Sequence, residues 1–183
     1  MPKNPFNTLQ RSTGPASKFE EFFALLRSGK PSYTAAVPKL RIIYSSTSGH
    51  TEYVCDVLVA YLKEKNAPVD IVMTHVEQTE PKDMLDGDYL LLASSTWDPT
   101  EGFLPPDFRR FVKAAKDIDL AGKPTIVIGL GDDRYYNTCR ATAHLMQFAR
   151  ERGGKNLLPP LPIVNEPYRS EEHTSELQSP DHL

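Results

Sequence analysis

The chain has 183 residues, of which 25% are charged and 39% hydrophobic, and its formal net charge at pH 7 is −3. These values are ordinary for one soluble globular domain with short appendages, and they argue against nucleic acid as a partner. No apolar run approaches the ~20 residues that cross a bilayer, and the N-terminus lacks the apolar stretch of a secretory signal, so no membrane partner is expected. The two cysteines, Cys55 and Cys139, form neither a disulfide framework nor a metal pattern, and the expected location is the reducing cytoplasm.

The first 38 residues form an extension before the main domain. Residues 1–16 are polar, with proline and glycine, and are expected to lack fixed structure. A short helix is predicted over residues 17–28, where SKFE resembles a capping box and Gly29 ends the pattern. Its apolar side chains recur at helical spacing, at Phe19, Phe22, Phe23 and Leu26. Because such a stripe needs an apolar surface to cover it, we expect an accessory helix docked on the protein.

From Lys39 onward, short apolar runs alternate with amphipathic segments. The runs predict five strands, over residues 40–45, 69–73, 89–94, 125–130 and 161–164. The segments predict helices over residues 51–65, 106–116 and 139–152. The third run, YLLLAS, is apolar nearly throughout, as expected in the middle of a parallel sheet. The alternation implies a doubly wound five-stranded parallel α/β sheet with right-handed crossovers.

Ligands of such a sheet bind beyond the carboxyl ends of the strands, where the strand order reverses. Three loops lie there, over residues 45–51, 94–107 and 130–139. The first reads SSTSGHT and brings five hydroxyl groups and one glycine to a helix N-terminus, where unpaired N–H groups and the helix dipole favour an anion. It has no lysine, so it is not a nucleoside-triphosphate P-loop, and it predicts a phosphate monoester site. Simple capping by Ser48 or Thr51 is the alternative, although a cap needs only one such residue.

The stretch RIIYSSTSGHTEYVCDVL resembles the flavodoxin signature, which is an apolar strand, an aromatic residue and then Ser/Thr-x-x-Gly-x-Thr. The matching positions are Ile42, Ile43, Tyr44, Ser46, Gly49, Thr51 and Leu58. Cys55 stands where alanine is usual, and His50 stands where asparagine is frequent. The resemblance implies that the phosphate of FMN is surrounded by Ser46, Thr47, Ser48, Gly49, His50 and Thr51. For His50, an ordinary exposed residue at the start of the helix is an equally open interpretation.

The second loop reads ASSTWDPTEGFLPPDF and resembles the Ser-Thr-Trp loop of the same family. A lone tryptophan is usually a core residue. Trp97, however, follows a strand end and stands beside Asp98 and Pro99, which suits a ring stacked on an aromatic ligand. The resemblance places Trp97 against the inner face of the flavin ring. The cofactor-binding residues predicted in this loop are Ser95, Thr96, Trp97 and Asp98.

The third loop reads GLGDDRYYNTCRA and resembles the Gly-x-Gly-Asp-x-x-Tyr segment of the family. The resemblance aligns Tyr135 with the outer stacking aromatic residue, with Tyr136 as the fallback. It also implies that backbone groups of Gly131, Asp132 and Cys139 meet the pyrimidine edge of the flavin. A surface turn that happens to contain tyrosines is a reasonable alternative for this loop alone, and a weak one beside the other two loops.

The resemblance covers roughly residues 39–168 and implies the flavodoxin-like strand order 2-1-3-4-5. It implies a monomeric electron carrier with non-covalently bound FMN, which meets redox partner proteins by transient contact, rather than a stand-alone enzyme. The alternatives are an FMN-dependent NAD(P)H reductase of quinones and the FMN module of a larger reductase. A receiver domain shares the wound sheet but needs an aspartate at the end of the third strand, where Ser94 and Ser95 stand.

The last residues differ in character from the rest. The string RSEEHTSELQS, residues 169–179, resembles the translation of a common sequencing adapter, and a genuine polar tail is the alternative. On the first interpretation, residues 169–183 are a non-native tail and the helix expected after the fifth strand is missing. The predicted organisation is therefore an extension over residues 1–38, an FMN-binding domain over residues 39–168 and this tail.

Overall fold

The computed structural model describes residues 24, 37–98 and 101–165. The predicted polar segment 1–16, the predicted N-terminal helix except Ala24, and the tail from residue 169 lie outside the described residues. The strands of the described part are β1 (Lys39–Ser45), β2 (Asp70–His75), β3 (Tyr89–Ser95), β4 (Pro124–Gly131), β5 (Lys155–Asn156) and β6 (Leu161–Val164). Its α-helices are α1 (His50–Glu64), α2 (Pro106–Ala114) and α3 (Ala141–Glu151), and its 3-10 helices are Val76–Gln78 and Pro81–Leu85.

These strands form one parallel sheet in the order β2-β1-β3-β4, with β5 and β6 both on the outer edge of β4. β5 pairs with the start of β4 at Pro124 and Thr125, and β6 pairs further along, from Ile128 to Gly131. The predicted order 2-1-3-4-5 is confirmed. The fifth position holds two short strands because Pro159 and Pro160, which lie between them, have no N–H to donate to a ladder.

The central strands are buried on both faces, which explains their continuous apolar sequences. Leu90, Leu91 and Leu92 of β3 have no exposed surface. Because side chains alternate along a strand, Leu91 joins one core cluster while Leu90 and Leu92 join the other. The sheet therefore needs apolar cover on both sides, as parallel sheets generally do.

The three helices supply much of that cover through amphipathic faces. α1 contributes to the cluster that contains Leu91, and α2 and α3 contribute to the cluster that contains Leu90. The helical residues buried in these clusters are Val54, Leu58, Leu62, Phe108, Phe111, Leu145 and Phe148. Two further side chains of these helices, Tyr61 and Val112, are half-buried against them. None of the described helices is long and apolar enough to cross a membrane.

The connection from β2 to β3 holds two 3-10 helices, which the sequence patterns do not predict. Pro81 occupies the first turn of the second one, and Glu80 and Asp83 form a capping box in which the Glu80 N–H donates to Asp83 Oδ2 at 2.9 Å. Val76 and Met84 bury their side chains in the same cluster as α2. Two buried apolar residues eight positions apart are too few for a helical periodicity to show.

The reversal of strand order places a crevice at the carboxyl ends of β1 and β3. From β1 the chain crosses to β2 on one side, and from β3 it crosses to β4 on the other. The connections therefore diverge at this point and leave space between them. Three loops border the crevice: residues 46–49 after β1, residues 96–105 after β3 and residues 132–140 after β4.

Candidate functional site

A cleft of about 780 Å³ opens at the carboxyl edge of the sheet, between the three loops. Its volume lies within the range of about 300–1,000 Å³ that is usual for sites of small molecules and cofactors. All three loops contribute to its walls. The predicted residues that line it are Thr47, Ser48, His50, Ser95, Thr96, Trp97, Asp98, Gly131, Asp132 and Tyr135.

The first loop wraps the N-terminus of α1. Gly49 precedes the helix with a φ of +84°, a left-handed conformation that glycine adopts without strain. The Ser46 hydroxyl accepts a hydrogen bond from the Glu52 N–H at 3.2 Å, which satisfies one unpaired donor of the first turn. Thr51 is buried, and its hydroxyl has no hydrogen-bond partner among the described residues. Because a buried hydroxyl without a partner is costly, this atom fits a site that a ligand oxygen completes.

A polar network supports this loop from below. The Ser45 hydroxyl donates to the Asp107 carboxylate at 2.8 and 2.9 Å, which ties the end of β1 to the first turn of α2. His75, at the end of β2, lies with Nε2 3.6 Å from Asp107 Oδ2, and the same nitrogen accepts from the Ser46 N–H at 3.4 Å. The network thus joins two strand ends and one helix directly behind the hydroxyl-rich loop, and it fixes where that loop starts.

The second loop closes on itself through backbone hydrogen bonds. Trp97 and Phe103 form an antiparallel bridge in which the Trp97 N–H donates to the Phe103 carbonyl at 2.7 Å. Inside it, the Asp98 carbonyl accepts from the Gly102 N–H at 2.8 Å, and Asp98 Oδ1 accepts from the Glu101 N–H at 3.1 Å. Asp98 has a φ of +61°. Trp97 is 42% exposed and lines the cleft, so the prediction that it is not a core residue is confirmed.

The second loop is also clamped to the third loop. A Cβ added at Gly102 would lie 2.7 Å from Asn137 Cβ, so the two backbones approach as closely as glycine allows. His144 Nε2 lies 3.1 Å from the Gly102 carbonyl oxygen, and the Ala141 N–H donates to the Thr96 hydroxyl at 3.1 Å. These contacts fix the position of Trp97 relative to the third loop, because both ends of its own loop are held.

The third loop carries an ion pair and the second aromatic side chain. Arg134 Nε lies 2.9 Å from both carboxylate oxygens of Asp132, and these hydrogen bonds lower the pKa of Asp132 to about 2. The Arg134 guanidinium also lies 6.0 Å from the centre of the Tyr135 ring. Tyr135 is 47% exposed and lines the cleft, whereas Tyr136 is 98% exposed and does not. The geometry therefore favours Tyr135 over Tyr136 as the aromatic side chain of the site.

Gly131 ends β4 in tight contact with Cys139. A Cβ added at Gly131 would lie 2.2 Å from the Cys139 nitrogen, so only glycine fits there. Cys139 is buried with a φ of +52°, and its thiol donates to the Ile163 carbonyl of β6 at 3.2 Å. Burial raises the pKa of this thiol. Cys139 therefore anchors the third loop against β4 and β6, behind the surface of the cleft.

Comparison with known proteins identifies the family. The sequence model described as Flavodoxin matches residues 42–177, which is most of the chain. The chain belongs to the flavodoxin family. Family membership makes it an electron-transfer protein with FMN as its cofactor, in agreement with the resemblance of the three loops.

Individual relatives are matched over most of their own length. Probable flavodoxin 2 of Bacillus subtilis is 33% identical over 134 residues, which cover 73% of this chain and 87% of the relative. The flavodoxin of Maridesulfovibrio salexigens is 29% identical, with 73% of this chain and 90% of the relative covered. The crystal structure of oxidised flavodoxin 1 from Bacillus cereus superposes with a TM-score of 0.64 at 30% identity, over 72% of this chain and 87% of that one.

Four of the predicted flavodoxin site residues lie behind the lining of the cleft: Ser46, Gly49, Thr51 and Cys139. Ser46 and Gly49 shape the loop at the start of α1, and Cys139 anchors the third loop. Thr51 is buried in the first turn of α1, with the hydroxyl described above. In the observed geometry, three of them shape or anchor the loops of the cleft, and Thr51 offers a hydroxyl without a described partner.

Five lining residues are not among the predicted cofactor-binding residues: Leu130, Arg134, Asn137, Thr138 and Asn165. Four of them lie in or beside the third loop, which the sequence predicts to border the site. Asn165 follows β6, and its Oδ1 accepts from the Asp133 N–H at 2.9 Å while its own N–H donates to the Gly131 carbonyl. Asn165 could have been predicted from the sequence, because it directly follows the last predicted strand and ligands bind at the carboxyl ends of strands.

Proposed function

We propose that FMN binds in this cleft, with its phosphate at the first loop and its ring between the second and third loops. The observation that supports this arrangement is the convergence of the three loops on one cleft, with Trp97 and Tyr135 both half-exposed on its walls. An electron carrier needs an aromatic pocket of this kind with an open side, because partner proteins must reach the cofactor edge.

At the first loop, the chain offers neutral donors to the phosphate. The start of α1 suits an anion, because helix N-termini present backbone N–H groups and the helix dipole adds partial positive charge there. Hydroxyls of Thr47 and Ser48 line the same wall, and Ser48 Oγ lies 3.1 Å from His50 Nδ1. The Thr51 hydroxyl gains its missing partner if a phosphate oxygen lies above the turn.

At the ring end, FMN supplies the redox chemistry and the chain tunes it. Trp97 and Tyr135 provide apolar faces, which disfavour additional negative charge on a flavin ring between them. Asp98 and Asp132 line the cleft and oppose the uptake of electrons by charge repulsion. The ion pair with Arg134 offsets the contribution of Asp132.

The test is a titration of the apoprotein with FMN and with riboflavin, followed by flavin fluorescence. Because charge-assisted hydrogen bonds contribute about 1.5–3 kcal/mol each, riboflavin should bind at least about 100-fold more weakly than FMN. FMN fluorescence should be quenched on binding, and Trp97→Ala should restore part of it. Tyr136→Ala is the matched control, because this side chain is almost fully exposed outside the cleft. Comparable affinity for riboflavin contradicts the phosphate position, and unchanged quenching in Trp97→Ala contradicts the ring position.

We further propose that the protein works as a cytoplasmic monomer whose redox partners dock transiently over the open side of the cleft, and that residues 39–168 form the FMN-binding unit. Small, short-lived interfaces are typical of electron-transfer proteins. The matched curated relatives are covered over most of their length, which supports a single flavodoxin-like unit. Light scattering of the FMN-loaded protein should give the mass of one chain, and a stable dimer contradicts this part of the proposal.

A further inference from the structure

The side chains of β4 and β6 that face the α1 side of the sheet are buried, although no described helix has its main contacts on β6. Along β4 and β6, the side chains of Ile128, Leu130, Leu161 and Ile163 belong to the same core cluster as α1. Their exposed fractions lie between 0% and 5%. Side chains with so little exposed surface must be packed under other atoms on this face of the sheet.

The described helices have their main contacts on other parts of the sheet. α1 packs on β1 and β3, whereas α3 packs on β4 from the opposite face, where Val127 joins its cluster. Leu157 and Leu158 border the buried face, but the Leu157 N–H donates to the Thr125 carbonyl, which places them at the amino end of β4. Within residues 37–98 and 101–165, no helix has its main contacts on β6.

We propose that residues 17–28 form a helix that docks on this face of β4 and β6. Phe19, Phe22, Phe23 and Leu26 form an apolar stripe along one side of such a helix, and a stripe of this kind needs an apolar surface to cover it. Ala24, the one described residue of the segment, is helical and exposed. At about 100° per residue, Ala24 lies on the side of the helix opposite the stripe, so its exposure is what docking through the phenylalanines requires.

The length of the chain permits this position. Residues 29–36 join the segment to the described chain before β1, and eight residues span up to about 26–29 Å when extended. β4 lies two strands from β1 in the sheet, which is about 10 Å. A helix of twelve residues is about 18 Å long and can cover the four residues of β6 and the neighbouring part of β4.

This docking would also support the proposed FMN site, and that part rests on the proposed function. β4 ends in Gly131 and β6 is followed by Asn165, and both residues line the cleft. The Asn165 N–H donates to the Gly131 carbonyl at 2.9 Å, so the two strand ends are joined where the third loop begins. A helix that holds β6 against β4 therefore stabilises one wall of the cleft from behind.

The experiment is hydrogen exchange of the full-length apoprotein, read by mass spectrometry on peptides from β4 and β6. The double substitution Phe22→Asp and Phe23→Asp places charges in the stripe and should speed exchange in β4 and β6 about tenfold or more, with β2 changed least. Ala24→Asp is the matched control and should leave all rates unchanged. If the double variant does not fold, Phe22→Ala should give the same pattern with a smaller increase.

If something other than residues 17–28 covers this face of β4 and β6, the experiment gives a different result. If residues 166–183 cover the face, their deletion speeds exchange in β4 and β6 while the double variant does not, which overturns the proposal. If a second copy covers it, protection falls on dilution of the unchanged protein, which also overturns it. Unchanged exchange in both phenylalanine variants also overturns the proposal. Because exchange is read without FMN, faster exchange with unaltered FMN affinity supports the docking and refutes only its effect on the site.

Discussion

Gly131→Ala tests the packing that holds the third loop at the cleft. The added Cβ would lie 2.2 Å from the Cys139 nitrogen and 3.0 Å from its Cα. Both are backbone atoms, so rotation of a side chain cannot relieve the contact. The Cys139 backbone is held by its own neighbours, because its carbonyl accepts from the Thr142 hydroxyl at 2.7 Å and its thiol donates to Ile163.

The magnitude follows from the distance that must open. Ordinary contact begins near 3.4 Å, so the backbone at Cys139 must move by about 1.2 Å. Overpacking of this size costs about 1–3 kcal/mol in the free energy of unfolding. The same movement displaces the loop that carries Tyr135. We expect this displacement to weaken FMN binding by a similar amount, and because about 1.4 kcal/mol corresponds to tenfold in affinity, the FMN dissociation constant should rise about 5- to 150-fold.

The assay combines urea denaturation of the apoprotein with a fluorescence titration of FMN. Gly122→Ala is the matched control, because Gly122 has a φ of +79° with no atom within 4 Å of an added Cβ, and it lies near the amino end of β4. Left-handed strain should cost the control about 1–2 kcal/mol of stability while its FMN affinity stays unchanged. Wild-type stability and FMN affinity in Gly131→Ala would refute the reasoning.

Three other features of the structure can be tested by substitution or chemical modification. Asp107→Asn weakens the hydrogen bonds from Ser45, and we expect a loss of about 1–3 kcal/mol in the free energy of unfolding and weaker FMN binding, by the same two assays; wild-type values for both contradict the supporting role. Arg134→Gln should return the pKa of Asp132 from about 2 towards its ordinary value of 3.8, which a carboxyl NMR titration measures. In the unaltered protein, the ion pair therefore stabilises the fold above pH 4, and this contribution is lost as the pH falls through 2. Both cysteines are buried with raised thiol pKa values, so iodoacetamide at pH 8 should modify them only after unfolding, and rapid modification of the native protein contradicts their burial.

Local sequence patterns were sufficient for most of the elements. The run of three leucines in β3 indicates a strand buried on both faces, and the structure confirms it. The end of α3 was equally local, since Gly153 has a φ of +75° and the Gly154 N–H donates to the Ala149 carbonyl at 2.8 Å. The 3-10 helices between β2 and β3 were missed because a single turn carries no helical periodicity.

For the site, the sequence located the three loops but not the role of each residue within them. The sequence indicates that Trp97 belongs to the site because it stands beside Asp98 and Pro99, which are uncommon neighbours in a hydrophobic core. Backbone groups of Cys139 were predicted to meet the flavin edge, and the structure adds that its thiol, behind Gly131, contacts β6. This contact is made with β6, which ends at residue 164, and no sequence pattern around residue 139 predicts it.

By itself, then, the sequence determined the alternation of strands and helices, the hydroxyl-rich helix start and the aromatic side chains available for a flavin. Those features depend on backbone and side-chain preferences that act over a few residues. The tertiary structure alone decided that Asn165 lines the cleft, that Gly131 must be glycine and that Arg134 pairs with Asp132. The first two depend on which strand ends become neighbours, and strand pairing is set by burial over the whole sheet, which joins residues far apart in the chain. The ion pair is local, but many conformations of a loop satisfy the same short sequence, and the packing around it selects one of them.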